Sequence, residues 1–201
     1  MSNSFDERAA TWDDDPAKVQ RAWDVAEAVA DAVPLTRSTR LLEYGAGTGL
    51  VTQALRARVG PVTLVDTSAG MREVVHDKIA AGTITDARVW DLDLANQPAP
   101  DEDFDLIVTS MVLHHVTDLQ PVLAGFAALL APDGRLCIVD LDKEDGSFHA
   151  EGFAGHHGFD REELEMNLRR AGFTDVTFTH CHDLVRDQTT YPLFLATARL
   201  A

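Results

Sequence analysis

The chain is organised around residues 41–55, which read LLEYGAGTGLVTQAL. An apolar run from Leu41 to Tyr44 is followed by glycines at three alternate positions, and apolar residues then recur at helical spacing. This pattern predicts a strand, a tight turn and a helix. Glycine adopts backbone conformations that other residues rarely take, and the first N–H groups of the helix face whatever binds at the turn. The stretch therefore predicts the opening unit of an α/β fold with a ligand site at the turn.

The spacing of the glycines separates the common nucleotide-binding motifs. A dinucleotide fingerprint needs G-x-G-x-x-G, and counting from Gly45 puts Leu50 where the third glycine belongs. A phosphate-binding P-loop needs four residues between glycines and then Gly-Lys, and the chain contains no such run. Both the nicotinamide dinucleotide and the P-loop interpretations are therefore disfavoured.

Composition limits the class of protein. A chain of 201 residues with 45% hydrophobic content predicts one domain with one sizeable core. No apolar run reaches the ~18 residues that a membrane span needs, and the polar N-terminal stretch predicts neither a signal peptide nor an anchor. Two cysteines, Cys137 and Cys181, suit a reducing compartment. We therefore expect a cytoplasmic protein.

The formal net charge of −16 bears on partners. Such a surface repels phosphate backbones unless a local basic patch overcomes it, and the basic residues are scattered apart from Arg169-Arg170. We expect no nucleic-acid partner and no membrane partner. The oligomeric state is left open by the sequence.

Two later strands carry polar residues where ligands bind in α/β folds. Residues 62–65 form a short β-branched run that ends at Asp66, about twenty residues after the first glycine, and an acid there is placed to accept hydrogen bonds from ribose hydroxyls. Residues 104–110 predict the fourth strand, which puts Ser110 and Met111 at the carboxyl edge of the sheet.

These stretches together resemble the class I S-adenosylmethionine-dependent methyltransferases of the small-molecule type. Glu-x-Gly-x-Gly-x-Gly at residues 43–49 resembles the first motif of that family, and FDLIVTSMVLHHV at residues 104–116 is similar to the fourth. The resemblance covers about residues 5–199. It implies a Rossmann-like, doubly wound seven-stranded sheet of order 3-2-1-4-5-7-6, with an antiparallel last strand and helices on both faces.

The resemblance also implies the ligands. S-adenosylmethionine is the expected cofactor, S-adenosylhomocysteine its product, and a small molecule the methyl acceptor. Glu43 would serve the cofactor's ammonium group, and Met71 would pack on adenine or simply in the core. A family pattern with eleven positions from an acid to a phenylalanine fits Asp93 and Phe104, with Asp91 as the fallback. The implied cofactor-binding residues are Glu43, Gly45, Ala46, Gly47, Gly49, Asp66, Thr67, Met71, Asp93, Leu94, Ser110 and Met111.

Acceptor-side residues are expected in two irregular segments. Residues 5–13 resemble the family's N-terminal lid, in which Trp12 would close over the site, although Phe5 and Trp12 equally predict a hydrophobic staple. The polar, glycine-rich stretch 142–159 lies where the family has substrate-covering insertions and carries His149, His156 and His157. His114 and His115 are candidate general bases, with packing as the alternative. No fixed spacing of donors indicates a metal, and none is predicted.

The remaining expectations concern boundaries and function. One methyltransferase domain over residues 1–201 divides into a lid segment and helix (1–33), a cofactor-binding core (34–141) and a substrate-side loop with closing strands (142–201). The first helix is predicted to begin at Pro16, with an apolar face of Val19, Trp23, Ala26, Ala30 and Val33. The third strand is predicted at residues 87–92 and the fifth strand at residues 135–141. A long turn is expected to join the two closing strands, at residues 176–180 and 194–199. A protein methyltransferase and a non-catalytic cofactor-binding protein remain alternative functions.

Overall fold

The computed structural model describes residues 5–201, so residues 1–4 of the predicted lid segment lie outside the described residues. Helices and strands alternate through most of the chain. The helices are α1 (Pro16–Ala32), α2 (Leu50–Leu55), α3 (Ala69–Ala80), α4 (Leu119–Leu129) and α5 (Arg161–Arg170), with 3-10 helices at Ala9–Asp14 and Leu113–His115. The strands are β1 (Leu41–Tyr44), β2 (Val62–Val65), β3 (Ala87–Trp90), β4 (Phe104–Ser110), β5 (Leu130–Leu141), β6 (Phe173–Arg186) and β7 (Thr189–Leu200).

The seven strands form one sheet of order β3-β2-β1-β4-β5-β7-β6, which confirms the predicted fold class. β1 pairs with β2, β2 with β3, and β4 with β5 in parallel, whereas β7 is antiparallel to both β5 and β6. Every residue of β1 and β2 is buried, as expected for parallel strands covered on both faces.

The chain divides into two compact units, one ending at Asp93 and the other beginning at Leu94. The first contains α1 to α3 and β1 to β3. The second contains β4 to β7 with α4 and α5. The expectation of a single domain stays a prediction.

Side-chain caps set the starts of four helices. The carboxylates of Asp15, Asp118 and Asp160 accept hydrogen bonds from backbone N–H groups at the starts of α1, α4 and α5, and the Ser68 hydroxyl accepts one from Met71 in α3. Each cap satisfies a donor that has no partner within its helix. The predicted start of the first helix at Pro16 is confirmed.

The predicted apolar face of α1 is confirmed at Ala26 and Val33 and is wrong at Trp23. Trp23 is 50% exposed, and the buried stripe consists of Ala22, Val25, Ala26 and Val29. Several alternative stripes on this alanine-rich helix have similar hydrophobicity, so periodicity could not choose among them. The small residues on the observed stripe let α1 pack against α2.

The observed lengths of β3 and β5 differ from those predicted from the sequence. β3 ends at Trp90, and β5 begins at Leu130 because Leu130 pairs with Phe104 before the register jumps to Leu106 and Arg135. The fifth strand is therefore longer than the predicted 135–141, and its register with β4 shifts between Leu130 and Arg135.

The closing strands are joined by a two-residue turn rather than a long one. Asp187 and Gln188 have φ of 47° and 68°, the left-handed backbone of a tight hairpin, and pairing continues to Arg186 and Thr189. Polar side chains on the exposed strand β6 concealed its length, because a strand with solvated faces gives little hydrophobic alternation.

A substitution at Gly49 tests how tightly the glycine turn packs. Gly49 has φ of 79°, and an added Cβ would lie 2.8 Å from Leu64 Cδ2 and 3.0 Å from Ile84 Cδ1. Gly82 has nearly the same φ, 74°, but open space around a Cβ. We expect Gly49→Ala to lower the free energy of unfolding by about 3 kcal/mol and Gly82→Ala by about 1 kcal/mol in urea titrations. Equal losses would contradict the packing role.

Candidate functional site

The glycine turn after β1 is built from left-handed backbone. Gly45, Gly47 and Gly49 have φ of 69°, 56° and 79°, conformations that side-chain-bearing residues rarely adopt. The buried Ala46 donates its N–H to Val65 O at 2.8 Å, which ties the turn to the end of β2. The turn therefore has a backbone conformation that glycine adopts more readily than other residues do.

Asp66 clamps this turn to the start of α3. Its Oδ2 accepts the Gly47 N–H at 2.7 Å, and its Oδ1 accepts the Ser68 N–H at 2.8 Å. Burial raises the pKa of Asp66, and these two N–H donors act in the opposite direction. Each carboxylate oxygen has a further lone pair, so the side chain is oriented yet retains acceptor capacity.

The surface of the turn at Gly47 is open. A Cβ at Gly47 would have a single neighbour within 4 Å in the part of the chain that the structure describes, Met71 Sδ at 4.0 Å. Met71 itself is buried, whereas Thr67 is exposed. A flat ligand can therefore approach the Gly47 backbone beside the Met71 sulphur.

Glu43, the acid of the first motif, is buried and has a structural partner. Its Oε2 accepts hydrogen bonds from the Thr52 N–H and hydroxyl, so it ties β1 to α2. Burial raises the pKa of Glu43 to about 7, against the effect of these hydrogen bonds. Its predicted role toward a cofactor ammonium group stays a prediction.

The N-terminal segment is anchored to the turn by Lys78 of α3. Lys78 Nζ pairs with Asp13 Oδ2 at 2.5 Å and binds Thr48 O at 2.7 Å, and the Thr48 hydroxyl donates to Asp13. Trp12, half-buried, lies beside Phe5 with ring centroids 6.1 Å apart, and Lys18 Nζ is 4.2 Å from its ring centroid. The segment is thus held beside the glycine turn, and both the lid and the staple interpretations of Trp12 remain open.

The two candidate adenine acids lie in different environments. Arg72 donates to Asp91 Oδ2 at 2.9 Å and to Asp66 O at 2.8 Å, so the exposed Asp91 is engaged in an ion pair. Asp93 is half-buried. The contact of Asp93 with adenine stays a prediction, with Asp91 as the alternative.

In the second unit, two of the predicted cofactor-binding residues, Ser110 and Met111, lie at the end of β4. Met111 has φ of 60°, a conformation that is rare for a residue with a side chain, and its N–H donates to Val139 O at 2.9 Å. Strained backbone of this kind concentrates at functional sites. Ser110 and Met111 are half-buried, and Leu94 is buried against Gly125 of α4.

His114 and Asp140 form a buried pair. His114 Nδ1 lies 2.6 Å from Asp140 Oδ1, and that carboxylate also accepts the N–H groups of Leu141 at 2.8 Å and of His114 at 3.3 Å. Asp140 is 0% exposed and His114 1%. An Nδ1–H donated to the carboxylate leaves the lone pair of His114 on Nε2.

Aromatic rings surround His114. His115 and His149 lie with ring centroids 4.2 Å and 5.1 Å from it, and Phe153 stacks on His149 at 3.7 Å with 3° between the planes. Burial lowers the pKa of His149 to about 4, with the neighbouring His114 as a further cause. Residues 142–159 thus pack against the rings of His114 and His115, which follow β4.

The loop of residues 142–159 contacts the backbone of His114. The His156 N–H donates to His114 O at 2.7 Å, and an added Cβ at Gly155 would lie 2.1 Å from the same oxygen. The His156 ring lies by Phe159 at 5.1 Å, while His157 Nδ1 lies 3.3 Å from Glu144 Oε1. Of the three predicted acceptor-side histidines, His149 alone lies in ring contact with His114 and His115 among the contacts of the described residues.

Sequence reasoning did not identify the partners of these residues. The pairing of Asp140 with His114 was not predicted, although an acid within the apolar run of β5 is a signal for a buried partner. Lys78 and Thr52 were also missed. Neither carries a sequence signal, because each acts through tertiary contacts alone.

Comparison with known proteins identifies the family. The family model described as "Methyltransferase domain" matches residues 14–180. An uncharacterized methyltransferase of Schizosaccharomyces pombe is 29% identical over 182 residues, which are 83% of this chain and 60% of that protein. A ubiquinone/menaquinone biosynthesis C-methyltransferase of Stutzerimonas stutzeri is 30% identical over 118 residues, which are 57% of this chain and 46% of that protein. The chain thus spans about half the length of these two relatives.

A solved structure supports the fold independently. In the complex between the Haloferax volcanii Trm112 methyltransferase activator and a methyltransferase, the matching chain has a TM-score of 0.79 at 19% identity. The match covers 98% of this chain and 97% of that chain. At this level of identity the likeness shows a shared fold.

The buried Glu43 predicts a pH-dependent stability. Because its pKa is raised from 4.5 to about 7, the folded protein binds this proton more tightly than the unfolded chain does. The stabilisation is complete below pH ~4.5 and is lost as pH rises through the folded-state value. The free energy of unfolding of the wild type, relative to Glu43→Gln, should therefore fall by about 3 kcal/mol between pH ~4.5 and ~8 in urea titrations.

The matched control is Glu27→Gln, which removes an exposed carboxylate from the same unit. A pH-independent difference between the wild type and Glu43→Gln would show that Glu43 is not held in a desolvated state.

Proposed function

The chain belongs to the class I S-adenosylmethionine-dependent methyltransferase family, and from that premise we propose that it transfers the methyl group of S-adenosylmethionine to a small-molecule acceptor. The observation that carries the proposal is the clamp of Asp66 on the open glycine turn. S-adenosylmethionine is the family's cofactor, and it supplies a methyl group on an electrophilic sulfonium.

The first unit fits this cofactor. Asp66 is fixed by Gly47 and Ser68, and its remaining lone pairs suit two vicinal ribose hydroxyls. The open face of Gly47 gives a ligand room to lie against the backbone, and the adjacent Met71 sulphur offers a polarisable apolar contact for a base. An acid that is already oriented loses little entropy on binding.

The second unit supplies the residues that we assign to the acceptor side. His115, His149 and Phe153 form a wall of rings suited to a flat or apolar small molecule. The formal charge of −16 argues against a nucleic-acid acceptor. The ubiquinone/menaquinone relative is named for a small-molecule biosynthesis, which supports the same class of acceptor. Among residues 5–201, no helix combines the length and apolar character that a bilayer crossing requires.

Catalysis by this chain would rest mainly on alignment, since methyl transfer from a sulfonium needs a nucleophile held in line. A base is needed only where the acceptor must lose a proton. Asp140 fixes the ring and tautomer of His114, so Nε2 of His114 is the atom that would receive such a proton. While residues 155–156 lie on His114, this residue is buried, so we expect the loop to move before an acceptor reaches its imidazole.

A protein of this fold that performs a reaction other than methyl transfer is the second candidate, and one comparison supports it. The solved structure of a [4+2]-cyclase has a TM-score of 0.70 to this chain at 18% identity, so the fold also occurs in a protein named for another reaction. A protein methyltransferase is the third candidate, because the acidic surface does not disfavour a basic peptide acceptor.

Asp66 variants test the cofactor site. We expect Asp66→Ala to weaken S-adenosylhomocysteine binding by one to three decades, ~2 to 4 kcal/mol, because charge-assisted hydrogen bonds are lost. Asp93→Ala should weaken binding less, and Asp91→Ala, which removes an exposed ion pair, should leave it nearly unchanged. Calorimetry on variants whose folding is verified by circular dichroism measures all three. Unchanged affinity in Asp66→Ala would remove Asp66 from the site, and equal losses at Asp91 and Asp93 would overturn the choice of Asp93.

Methyl transfer itself is tested with labelled S-adenosylmethionine. The chain is incubated with pools of small phenols, carboxylic acids, amines and thiols, and separately with basic peptides, and labelled products are identified by mass spectrometry. We expect a labelled small molecule with the wild type and none with Asp66→Ala. Label in peptides alone would replace the small-molecule acceptor, and tight cofactor binding with no labelled product would favour the non-catalytic alternative.

A further inference from the structure

Three imidazoles from two separate segments converge in the second unit. His114 and His115 belong to the 3-10 helix after β4, and His149 belongs to the loop of residues 142–159. One donor atom from each lies within 4.8 Å of the others. We propose that His114, His115 and His149 form a binding site for a divalent transition metal ion of the zinc class.

The distances fit a site that closes around an ion. Zinc–nitrogen bonds of about 2.0–2.1 Å in tetrahedral geometry put ligand nitrogens ~3.4 Å apart. The three donors therefore need to approach one another by ~1 Å, which small side-chain rotations supply. A set made only of imidazoles suits zinc, copper, nickel or cobalt and does not suit magnesium or calcium, which take oxygen ligands.

His114 already has the support that a metal-binding histidine needs. A ligating imidazole usually donates its other N–H to a carboxylate, which fixes the ring and raises its basicity. His114 Nδ1 lies 2.6 Å from the fully buried Asp140, so Nε2 is left for an ion. The backbone N–H groups of Leu141 and His114 fix that carboxylate in turn.

His149 provides an independent indication. Its Nδ1 is buried and has no hydrogen-bond partner within residues 5–201, and the Phe153 ring stacks on its imidazole. A buried polar atom without a partner costs free energy that a bound ion would recover.

A neighbouring donor group offers a direct alternative. Glu144, His149 and His157 also have donor atoms within 4.8 Å of one another, but His157 is exposed and its Nδ1 is 3.3 Å from Glu144. In the described part of the chain, no separate buried carboxylate is seen to accept a hydrogen bond from His149 or His157, as Asp140 does from His114. The Asp140-supported group is therefore the stronger site, and His149 cannot serve both at once.

The ion would change what the histidines do. It would join the 3-10 helix after β4 to the loop of residues 142–159, and His114 Nε2 would then be a ligand rather than a free base. An ion with three protein ligands keeps a fourth coordination position, which a water molecule can occupy while the loop lies on His114. The inference goes beyond the proposed function, because the ion can bind whether or not methyl transfer occurs.

The test is metal binding by the full chain after treatment with a chelator. Calorimetry with Zn²⁺ and visible absorption with Co²⁺ should show one ion per chain. His115→Ala and His149→Ala should each weaken Zn²⁺ binding at least ~100-fold, and Asp140→Asn should weaken it ~10- to 100-fold. The double variant His180→Ala/His182→Ala, which removes two histidines of strand β6, is the matched control and should bind as the wild type does.

Two results would overturn the proposed site. If His157→Ala abolishes binding and His115→Ala does not, the ion lies in the Glu144 group and the proposal is wrong. Absence of Zn²⁺ binding by the folded wild type at micromolar concentrations also overturns it. Binding of S-adenosylhomocysteine, measured on the same samples, separates failure of this inference from failure of the proposed function. Amide exchange gives a readout independent of activity, since Zn²⁺ should slow exchange in residues 142–159 of the wild type but not of His115→Ala.

Discussion

The hydrogen bonds that the Asp66 carboxylate accepts from Gly47 and Ser68 are the constraint on which the rest of the first unit depends. The glycine turn is made of residues with high conformational freedom, so glycine alone does not define one shape. Asp66 defines it, because its two oxygens join the turn to the start of α3. The same carboxylate is thereby oriented for a ligand, so one side chain links the folding of the turn to its use.

The acidic N-terminal segment depends on this arrangement in turn. Asp13 reaches Lys78 and Thr48, while Asp6 accepts hydrogen bonds from the Ser68 hydroxyl and the Gly70 N–H. The Ser68 hydroxyl and the Gly70 N–H hold the pKa of Asp6 below its usual value. Part of the chain's excess of acid therefore has a structural use, because these carboxylates fasten the segment to the turn and to the N-terminal end of α3, where the helix dipole favours negative charge.

Much of the fold could be predicted because its signals are local. The turn after β1, the helix caps and the buried strands each follow from a few adjacent residues, and the fourth strand was predicted with its observed bounds, Phe104–Ser110. What failed depends on distant partners. Trp23 is exposed because α1 packs through its small residues, and the hairpin of β6 and β7 is long because backbone pairing, rather than hydrophobic alternation, sets its length. The same limit applies to the site: nothing within residues 104–116 indicates that His114 meets Asp140 and His149, because only the folded loop brings them together.

The loop of residues 142–159 is attached unequally along its length, which indicates how it can move. Its stem is held by the double hydrogen bond from Arg161 to Asp142 and by backbone hydrogen bonds from Lys143 to Phe159 and from Glu144 to His157. Residues 147–148 are tied to the closing strands, since Arg186 donates to Phe148 O at 2.7 Å and the Ser147 hydroxyl lies 2.8 Å from that of Tyr191. The tip, residues 150–156, rests on His114 through the N–H of His156 and the ring of Phe153. Lifting the tip breaks few hydrogen bonds, whereas lifting the stem breaks several, so motion of the tip requires less free energy. Because the tip contacts both His114 and His149, motion of this short segment changes the access to the His114 imidazole together with the packing of the histidine cluster.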